Sequence, residues 1–289
     1  MTKPLEGKPV ADKIYKRISE LISHNLERKG RPPHLVIFYS LENEESRIYV
    51  GKKVQACERC GIKCTAIVVE KTDTYETLRK RVMEEGRRSE VDGIIVQLPM
   101  PNVPPHLIQN LIDCIHPDKD VDGLTTASSG LLYKGKRIMW RIPATAQAVL
   151  AILQHYGIST EGKNITIIGR SELVGKPLAH ILSSPGFDGT VTLCHSKTPR
   201  YVVERHIDCA EILITAVGKA NFIAGHDTAV RAYVIDVGIS KTPDGIKGDV
   251  LWSPWRRGQT PVPGGVGPVT VACLLENVVL RWSYTDERI

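Results

Sequence analysis

Two residues on one predicted helix, Tyr49 and Lys53, have the types and the spacing of a proton-transfer pair. If residues 45–60 form a helix, a separation of four places both side chains on one face, one turn apart. A phenol can exchange a proton or stack on a flat ring, and an amine with a lowered pKa can act as an acid or base near neutral pH. A solvated helix face would show the same spacing, so the other motifs must decide.

Further polar residues follow predicted strands. Gln97 lies at the end of the apolar run 93–98, and Asp120 and Asp122 lie in the next acidic loop. An amide capping a strand end and an ordinary Asp/Gly turn are the alternative interpretations. Because parallel sheets bind ligands beyond the carboxyl ends of their strands, we expect these groups to converge with Lys53 at one edge of a sheet.

The elements that must position these groups alternate between strand and helix. A first helix with apolar residues at helical spacing is closed by Gly30. The predicted order after it is strand, helix, strand, helix and strand, at 34–40, 45–60, 63–69, 75–89 and 93–98. Continuous Ile and Val runs are typical of strands buried on both faces. We therefore expect an α/β fold with a parallel sheet and crossover helices.

A second α/β block begins near Ile142 and contains a glycine turn. After a helix at 148–155, a strand ends at Ile168, a turn starts at Gly169 and a helix opens near Gly175. Such a turn lets backbone N–H groups and the helix N-terminus face a pyrophosphate. Ser171 stands where the usual GxGxxG pattern has its middle glycine, so a plain strand-to-helix turn remains an alternative.

The strand at 190–194 ends in residues that bear on the choice of cofactor. A dinucleotide fold that binds NAD usually has Asp or Glu here for the ribose 2′-hydroxyl. This chain has His195, Ser196 and Lys197 instead, with Arg170 expected nearby. Hydroxyl and basic groups suit a 2′-phosphate, so the sequence predicts NADP rather than NAD.

The segment 260–268 is rich in Gly and Pro and leads into a last predicted helix at 269–282. Such a composition makes a rigid turn with bare backbone. It could be a linker, but the apolar Val262 and Val266 favour a backbone clamp for a ligand. We expect the last helix to pack back on the first block.

Composition excludes several classes of protein. With 289 residues, 42% hydrophobic and 24% charged, the chain can bury the core of one large or two ordinary domains. No apolar run could span a bilayer and no signal-peptide core is present, so a cytoplasmic protein is expected. Seven scattered Cys favour free thiols, and no metal site is expected. The dispersed net charge of +6 favours a small anionic ligand over nucleic acid.

Together these motifs resemble one family, the bifunctional methylenetetrahydrofolate dehydrogenase/methenyltetrahydrofolate cyclohydrolases, often called FolD. The matching segments follow family order along nearly the whole chain, at 46–53, 96–99, 118–123, 169–177, 195–198 and 261–268. With the strand pattern, the resemblance implies two α/β lobes. The first is a catalytic and folate-binding domain at 1–141, on which 269–289 packs back. The second is a Rossmann-like NADP-binding domain at 142–268.

The resemblance implies two reactions at one site. A hydride passes to NADP from the one-carbon bridge of 5,10-methylenetetrahydrofolate, and water then converts the 5,10-methenyl product to 10-formyltetrahydrofolate. Lys53 would be the acid/base group of the hydrolytic step, and Gln97 would tune its amine. Tyr49 would stack on the folate, and Asp122 would bind the polar edge of the pterin. A homodimer is the expected assembly.

The resemblance also assigns binding residues. Tetrahydrofolate derivatives would be held by Tyr49, Val96, Gln97, Leu98, Asp122, Pro263, Gly264, Gly265 and Gly267. NADP would be held by Thr145, Gly169, Arg170, Ser171, His195, Ser196 and Ile239. The sequence departs from the family pattern beside Thr145, where Ala144 and Ala146 stand, and at Ser128 and Ser129.

Three other functions remain open. A short-chain NADP oxidoreductase also uses a Tyr-x-x-x-Lys pair, although its glycine turn precedes the pair and Gly169 follows it here. A dehydrogenase of the same family without the cyclohydrolase activity is the second. A folate- or nucleotide-binding module without turnover is the third, and the presence of Lys53 and Gln97 argues against it.

Overall fold

The structure is a computed structural model that describes residues 1–136, 138–223 and 231–284. Its helices are α1 (Gly7–Lys29), α2 (Glu44–Cys60), α3 (Tyr75–Arg87), α4 (Ile108–Ile112), α5 (Thr126–Tyr133), α6 (Ala144–His155), α7 (Gly175–Leu182), α8 (Arg200–Asp208) and α9 (Val266–Tyr284). Its strands are β1 (Lys3–Pro4), β2 (His34–Ser40), β3 (Lys63–Val69), β4 (Gly93–Val96), β5 (Asn164–Ile168), β6 (Thr190–Cys194), β7 (Ile212–Thr215), β8 (Tyr233–Asp236), β9 (Ser240–Thr242), β10 (Gly245–Lys247) and β11 (Gly258–Gln259).

The chain divides into two compact units. One combines Lys13–Ala144 with Val271–Ile289, and we call it the Lys53 unit. The other combines Met1–Asp12 with Thr145–Thr270, and we call it the Gly169 unit. Each unit has its own parallel sheet. Helices α2 and α3 connect strands β2, β3 and β4 of the first sheet, and α7 and α8 connect β5, β6 and β7 of the second, so the predicted α/β fold is confirmed.

In the Lys53 unit the described residues form a three-stranded parallel sheet in the order β3-β2-β4. The central strand β2 is buried along most of its length. Pairing continues one residue past β4, because the Gln97 N–H donates to the Phe38 carbonyl at 2.8 Å. The carboxyl end of β4 therefore delivers Gln97 to the edge of the sheet where parallel folds bind ligands.

Helix α2 forms where the sequence predicts it, with defined signals at both ends. The Asn43 side chain accepts a hydrogen bond from the Ser46 N–H at 2.8 Å, which satisfies one free donor of the first turn. Gly61 ends the helix in the left-handed conformation at φ 71°, which glycine adopts without a Cβ penalty. These two caps fix the helix register that carries Tyr49 and Lys53.

The Gly169 unit contains a six-stranded sheet among its described residues, in the order β1-β11-β8-β7-β5-β6. Every pairing in this sheet is parallel. The predicted strands at 190–194, 211–215 and 233–238 correspond to β6, β7 and β8. Beside the sheet, β9 and β10 form an antiparallel hairpin.

The first twelve residues belong to the Gly169 unit, whereas the predicted domain at 1–141 included them. Strand β1 pairs with β11, and the Thr2 hydroxyl donates to the Ser253 carbonyl at 2.7 Å. The Tyr156 hydroxyl donates to the Glu6 carbonyl at 2.9 Å. These contacts join residues more than a hundred positions apart in the sequence. A two-residue strand has no sequence pattern from which such contacts could be predicted.

The last helix belongs to the Lys53 unit from Val271 onward. The fully buried Asn277 donates from Nδ2 to the carbonyls of Val121, at 2.9 Å, and Ile142, at 3.3 Å. Glu276 accepts from Arg17 of α1. Among the described residues, no helix combines the length and the hydrophobicity that a membrane crossing requires.

Candidate active site

The Lys53 amine and the Gln97 amide are in direct contact. Lys53 Nζ donates to Gln97 Oε1 at 2.8 Å, and Gln97 Nε2 donates to the Leu98 carbonyl at 3.0 Å. The Ser46 hydroxyl donates to the same carbonyl at 3.2 Å. The hydrogen bond from Gln97 Nε2 to the Leu98 carbonyl orients the side-chain oxygen of Gln97 toward the Lys53 amine. Helix α2 and the end of β4 together therefore fix the position of Lys53.

Burial and one carboxylate set the electrostatics of this pair. Burial lowers the pKa of Lys53 from its ordinary value, and the charge of Asp122 opposes that shift. Burial raises the pKa of Asp122, which Lys53 opposes and the charge of Asp120 reinforces. Both side chains keep some exposed surface, so they can still meet a ligand. An amine with a lowered pKa can exchange its proton nearer neutral pH.

The two acidic residues of the predicted site have different surroundings. Asp120 is fully buried, and its carboxylate accepts from the Leu124 N–H, the Thr125 N–H and the Ser128 hydroxyl at 3.2, 2.8 and 2.6 Å. It therefore shapes the loop that presents Asp122. Sequence reasoning treated Ser128 only as a departure from the family pattern, and the structure shows that its hydroxyl holds this loop.

Gly123 explains why the loop turns where it does. Its φ of 69° lies in the left-handed region, and an added Cβ would approach the Arg141 carbonyl oxygen to 2.5 Å. A side chain would therefore displace the residue next to Asp122.

Tyr49 lies on the exposed part of α2. Its side chain is 36% exposed, and Lys52 Nζ lies 5.7 Å from the ring centroid. The ring can therefore offer a face to a flat ligand. Val96 differs, because its side chain is packed in the hydrophobic core of the unit, and Leu98 is half-buried beside that core. A substrate would meet Val96 through its backbone.

Replacing Gln97 with Glu tests the contact with Lys53. A carboxylate at this position favours the charged amine, so the pKa of Lys53 should rise. The family resemblance implies a hydrolytic reaction with Lys53 as its acid/base group, and for that reaction we expect the limb of the pH–rate profile set by Lys53 to move up by about one pH unit or more. The control Gln55→Glu adds the same charge at an exposed position of α2, the helix that carries Lys53, and should leave the limb at its wild-type pH. An unshifted limb in Gln97→Glu would contradict the contact.

The Gly169 unit contains a cavity of about 750 Å³ beyond the ends of its strands. Four of the predicted cofactor residues line it, namely Gly169, Arg170, His195 and Ser196. Further basic groups come from Arg200 and Lys219. The volume and the basic lining fit a phosphate-bearing dinucleotide.

The turn at the mouth of this cavity requires glycine. Gly169 has φ 121°, and an added Cβ would lie 2.4 Å from the Ala216 carbonyl oxygen. A Cβ on Gly175 would lie 1.8 Å from the Gly169 carbonyl oxygen. The approach at Gly169 brings the turn against the end of β7, and the approach at Gly175 brings the first turn of α7 against the end of β5, as in pyrophosphate-binding turns.

Three predicted cofactor residues lie outside the lining of this cavity. Thr145 stands in the first turn of α6, and Ile239 is 42% exposed just after β8. The Ser171 hydroxyl accepts from the Val174 N–H at 3.2 Å, so it stabilises the glycine turn itself. Sequence reasoning missed Thr198, which lines the cavity and whose hydroxyl accepts from the His195 N–H at 3.0 Å.

The Gly/Pro turn at 260–268 is held within the Gly169 unit. The Gly7 N–H donates to the Gly264 carbonyl at 2.8 Å, and a Cβ on Gly7 would lie 1.8 Å from the Gly265 carbonyl oxygen. Pro263 and Gly264 are exposed, whereas Gly265 is buried. The turn has a fixed shape, and part of its support comes from the start of α1.

Comparison with known proteins decides the family. The model of the tetrahydrofolate dehydrogenase/cyclohydrolase catalytic domain matches residues 5–122, and the model of the NAD(P)-binding domain of that family matches residues 143–286. The bifunctional protein FolD of Oleidesulfovibrio alaskensis is 36% identical over 283 residues, which cover 96% of this chain and 97% of that protein. The chain belongs to the tetrahydrofolate dehydrogenase/cyclohydrolase family.

Solved structures of this family have the same fold. The 5,10-methylenetetrahydrofolate dehydrogenase of Bombyx mori superposes with a TM-score of 0.92 at 34% identity, covering 100% of both chains. The FolD enzyme of Trypanosoma brucei, complexed with NADP cofactor and inhibitor, gives 0.91 at 31% identity and covers 99% of each chain. The predicted family, its dehydrogenase and cyclohydrolase activities and its nicotinamide dinucleotide cofactor are confirmed.

Proposed function

We propose that this tetrahydrofolate dehydrogenase/cyclohydrolase oxidises 5,10-methylenetetrahydrofolate with NADP and hydrolyses the 5,10-methenyl product to 10-formyltetrahydrofolate at one site. The hydrogen bond from Lys53 to Gln97, with Asp122 electrostatically coupled to the amine, is the observation that carries the proposal. Lys53, Gln97 and Asp122 lie in the segment of this chain that matches the catalytic-domain model, and the glycine turn lies in the segment that matches the NAD(P)-binding-domain model. We therefore assign the acid/base groups of the folate chemistry to the Lys53 unit and the glycine turn that binds the cofactor to the Gly169 unit.

Lys53 is proposed to carry the proton in the hydrolytic step. In its neutral form the amine takes one proton from the water that adds to the methenyl carbon. The resulting ammonium gives that proton to the ring nitrogen that leaves as the C–N bond breaks, and the remaining hydroxyl proton passes to solvent as the formyl C=O forms. Gln97 keeps the amine in place through its side-chain oxygen. Burial lowers the pKa of Lys53, which raises the fraction of neutral amine available near neutral pH.

Positioning carries the dehydrogenase step. The nicotinamide ring of NADP supplies the hydride acceptor, so this chain must hold the bridge carbon in place and exclude competing water. Tyr49 is proposed to stack on the folate, and Asp122 to bind the polar edge of the pterin. Val96, Leu98 and the turn at Pro263–Gly267 are proposed to complete folate binding. Thr145, Ser171 and Ile239 are proposed to complete NADP binding.

The cavity of the Gly169 unit supports NADP over NAD. Arg170 and Ser196 both line it and offer a guanidinium and a hydroxyl to a 2′-phosphate. The acidic residue in the lining, Glu204, accepts a hydrogen bond from Arg200 Nε at 2.7 Å, so its negative charge is paired within the cavity wall. The T. brucei relative was solved with NADP, which agrees with this preference.

An absorbance time course with methylenetetrahydrofolate and NADP tests the proposed function. We expect the methenyl product to appear as NADP is reduced and then to disappear by hydrolysis. At equal concentration NAD should give a lower initial rate, because it lacks the 2′-phosphate that Arg170 and Ser196 are proposed to bind. Accumulation of the methenyl form without decay beyond the spontaneous rate would refute the cyclohydrolase assignment. A higher rate with NAD would refute the cofactor preference.

We also propose that the protein works in the cytoplasm as a homodimer. The odd number of scattered Cys supports a reducing compartment, and family resemblance supports the dimer. Sedimentation velocity at micromolar concentration should give twice the 32.0 kDa mass of one chain. A single species at the monomer mass would rule out the dimer.

A further inference from the structure

A fully buried carboxylate, Asp249, contacts the loop that follows β7. Its Oδ2 accepts from the Val217 N–H at 2.6 Å, and its Oδ1 accepts from the Lys219 N–H at 2.8 Å. Val217 and Lys219 both line the 750 Å³ cavity. One side chain thus fixes two backbone groups of the cavity wall, and charged acceptors make the stronger kind of hydrogen bond.

The same carboxylate packs against the segment that follows β8. A Cβ on Gly238 would lie 2.0 Å from the carboxyl group of Asp249, so only glycine lets the two approach this closely. Ile239, the next residue, is among the proposed cofactor contacts. Asp249 therefore sets the spacing between two segments that leave the carboxyl ends of neighbouring strands, where doubly wound sheets bind their ligands.

A second buried carboxylate, Asp236, holds Asp249 in place. Asp236 Oδ1 accepts from the Asp249 and Gly238 N–H groups, each at 3.1 Å, and Oδ2 accepts from the Val250 N–H at 2.9 Å. Both carboxylates thus satisfy buried backbone donors, and removing such an acceptor leaves a donor without a partner.

We propose that Asp249 is a positioning residue for the dehydrogenase reaction, because it holds the Val217–Lys219 loop and Gly238 in the shape that binds the nicotinamide dinucleotide. It acts through backbone groups, since the carboxylate itself is fully buried. The inference rests on the proposed function. Lys53 and Gln97 belong to the other unit, so the hydrolytic reaction serves as an internal reference on the same chain.

Asp249→Asn tests the inference with little change in volume. One oxygen becomes an NH₂ group that faces a backbone N–H, so the wall segment loses an acceptor. We expect the KM for NADP to rise about tenfold or more, since one charged hydrogen bond accounts for a change of that order. The dehydrogenase kcat at saturating NADP and the NADP-free cyclohydrolase rate should change far less. Asp244→Asn, at an exposed position between β9 and β10, is the matched control and should leave the KM unchanged.

Gly238→Ala reaches the same contact from the opposite side and decides the matter if Asp249→Asn does not fold. Its new Cβ must displace the carboxylate, so the same rise in KM is expected. A folded variant of either kind with the wild-type KM for NADP would overturn the inference. A parallel loss of both activities at constant KM would also overturn it, because that result marks a general structural role. If the wild type does not reduce NADP, the proposed function fails, and the NADP dissociation constants of wild type and variant still test Asp249.

Discussion

Lys53→Met should abolish enzymatic hydrolysis of 5,10-methenyltetrahydrofolate while the fold survives. Methionine keeps a flexible apolar stem of similar length but has no group that exchanges a proton. Because general acid–base catalysis contributes about 10²- to 10⁴-fold, we expect the cyclohydrolase kcat to fall by at least about a hundredfold. The decay of methenyl absorbance after subtraction of the spontaneous rate measures this loss.

Lys80→Met is the matched control for this variant. Lys80 is exposed on α3 of the same unit, so its replacement should leave the hydrolytic rate at the wild-type value. Circular dichroism of both variants would show whether the fold is intact. If Lys53→Met hydrolyses the methenyl substrate at the wild-type rate, the assignment of the proton carrier is wrong.

Gly169→Ala should weaken NADP binding, and so lower the dehydrogenase rate at limiting NADP, while it spares the cyclohydrolase activity. The new Cβ would lie 2.4 Å from the Ala216 carbonyl oxygen, in a backbone conformation with φ 121° that L-residues rarely adopt. The turn must shift, and the backbone groups proposed to face the pyrophosphate shift with it. We expect NADP affinity to fall by about a hundredfold, which corresponds to roughly 3 kcal/mol.

Calorimetry of NADP binding, or the fluorescence of bound NADPH, measures this loss independently of turnover. Gly130→Ala is the control, because an added Cβ there meets nothing within 4 Å and the residue lies inside α5, where alanine is favoured over glycine. A Gly169→Ala variant that binds NADP as tightly as the wild type would show that the cofactor does not bind against this turn.

The sequence was sufficient for those features that depend on local patterns. The helix that carries Tyr49 and Lys53 was predicted to within one residue of α2, whose ends are capped by Asn43 and Gly61 in the structure. Strand β3 matches its predicted bounds, Lys63–Val69. The family was also evident from sequence, because its motifs are short segments whose chemistry survives in residue types and order.

Only the tertiary structure decided which polar groups support the site and which face a ligand. Asp120 and Asp122 cannot be told apart in the sequence of the acidic loop. In the structure Asp120 is fully buried and accepts backbone hydrogen bonds, whereas burial raises the pKa of Asp122 beside Lys53. Asp249 had no local signal, because its partners at Val217 and Lys219 are thirty or more residues away. The first twelve residues joined the Gly169 unit through the pairing of β1 with β11 and through long-range hydrogen bonds such as that from the Thr2 hydroxyl, and neither has a local sequence pattern. Burial and long-range pairing arise only when distant segments meet. The sequence therefore indicated the groups proposed to react, and the tertiary structure determined which residues hold them.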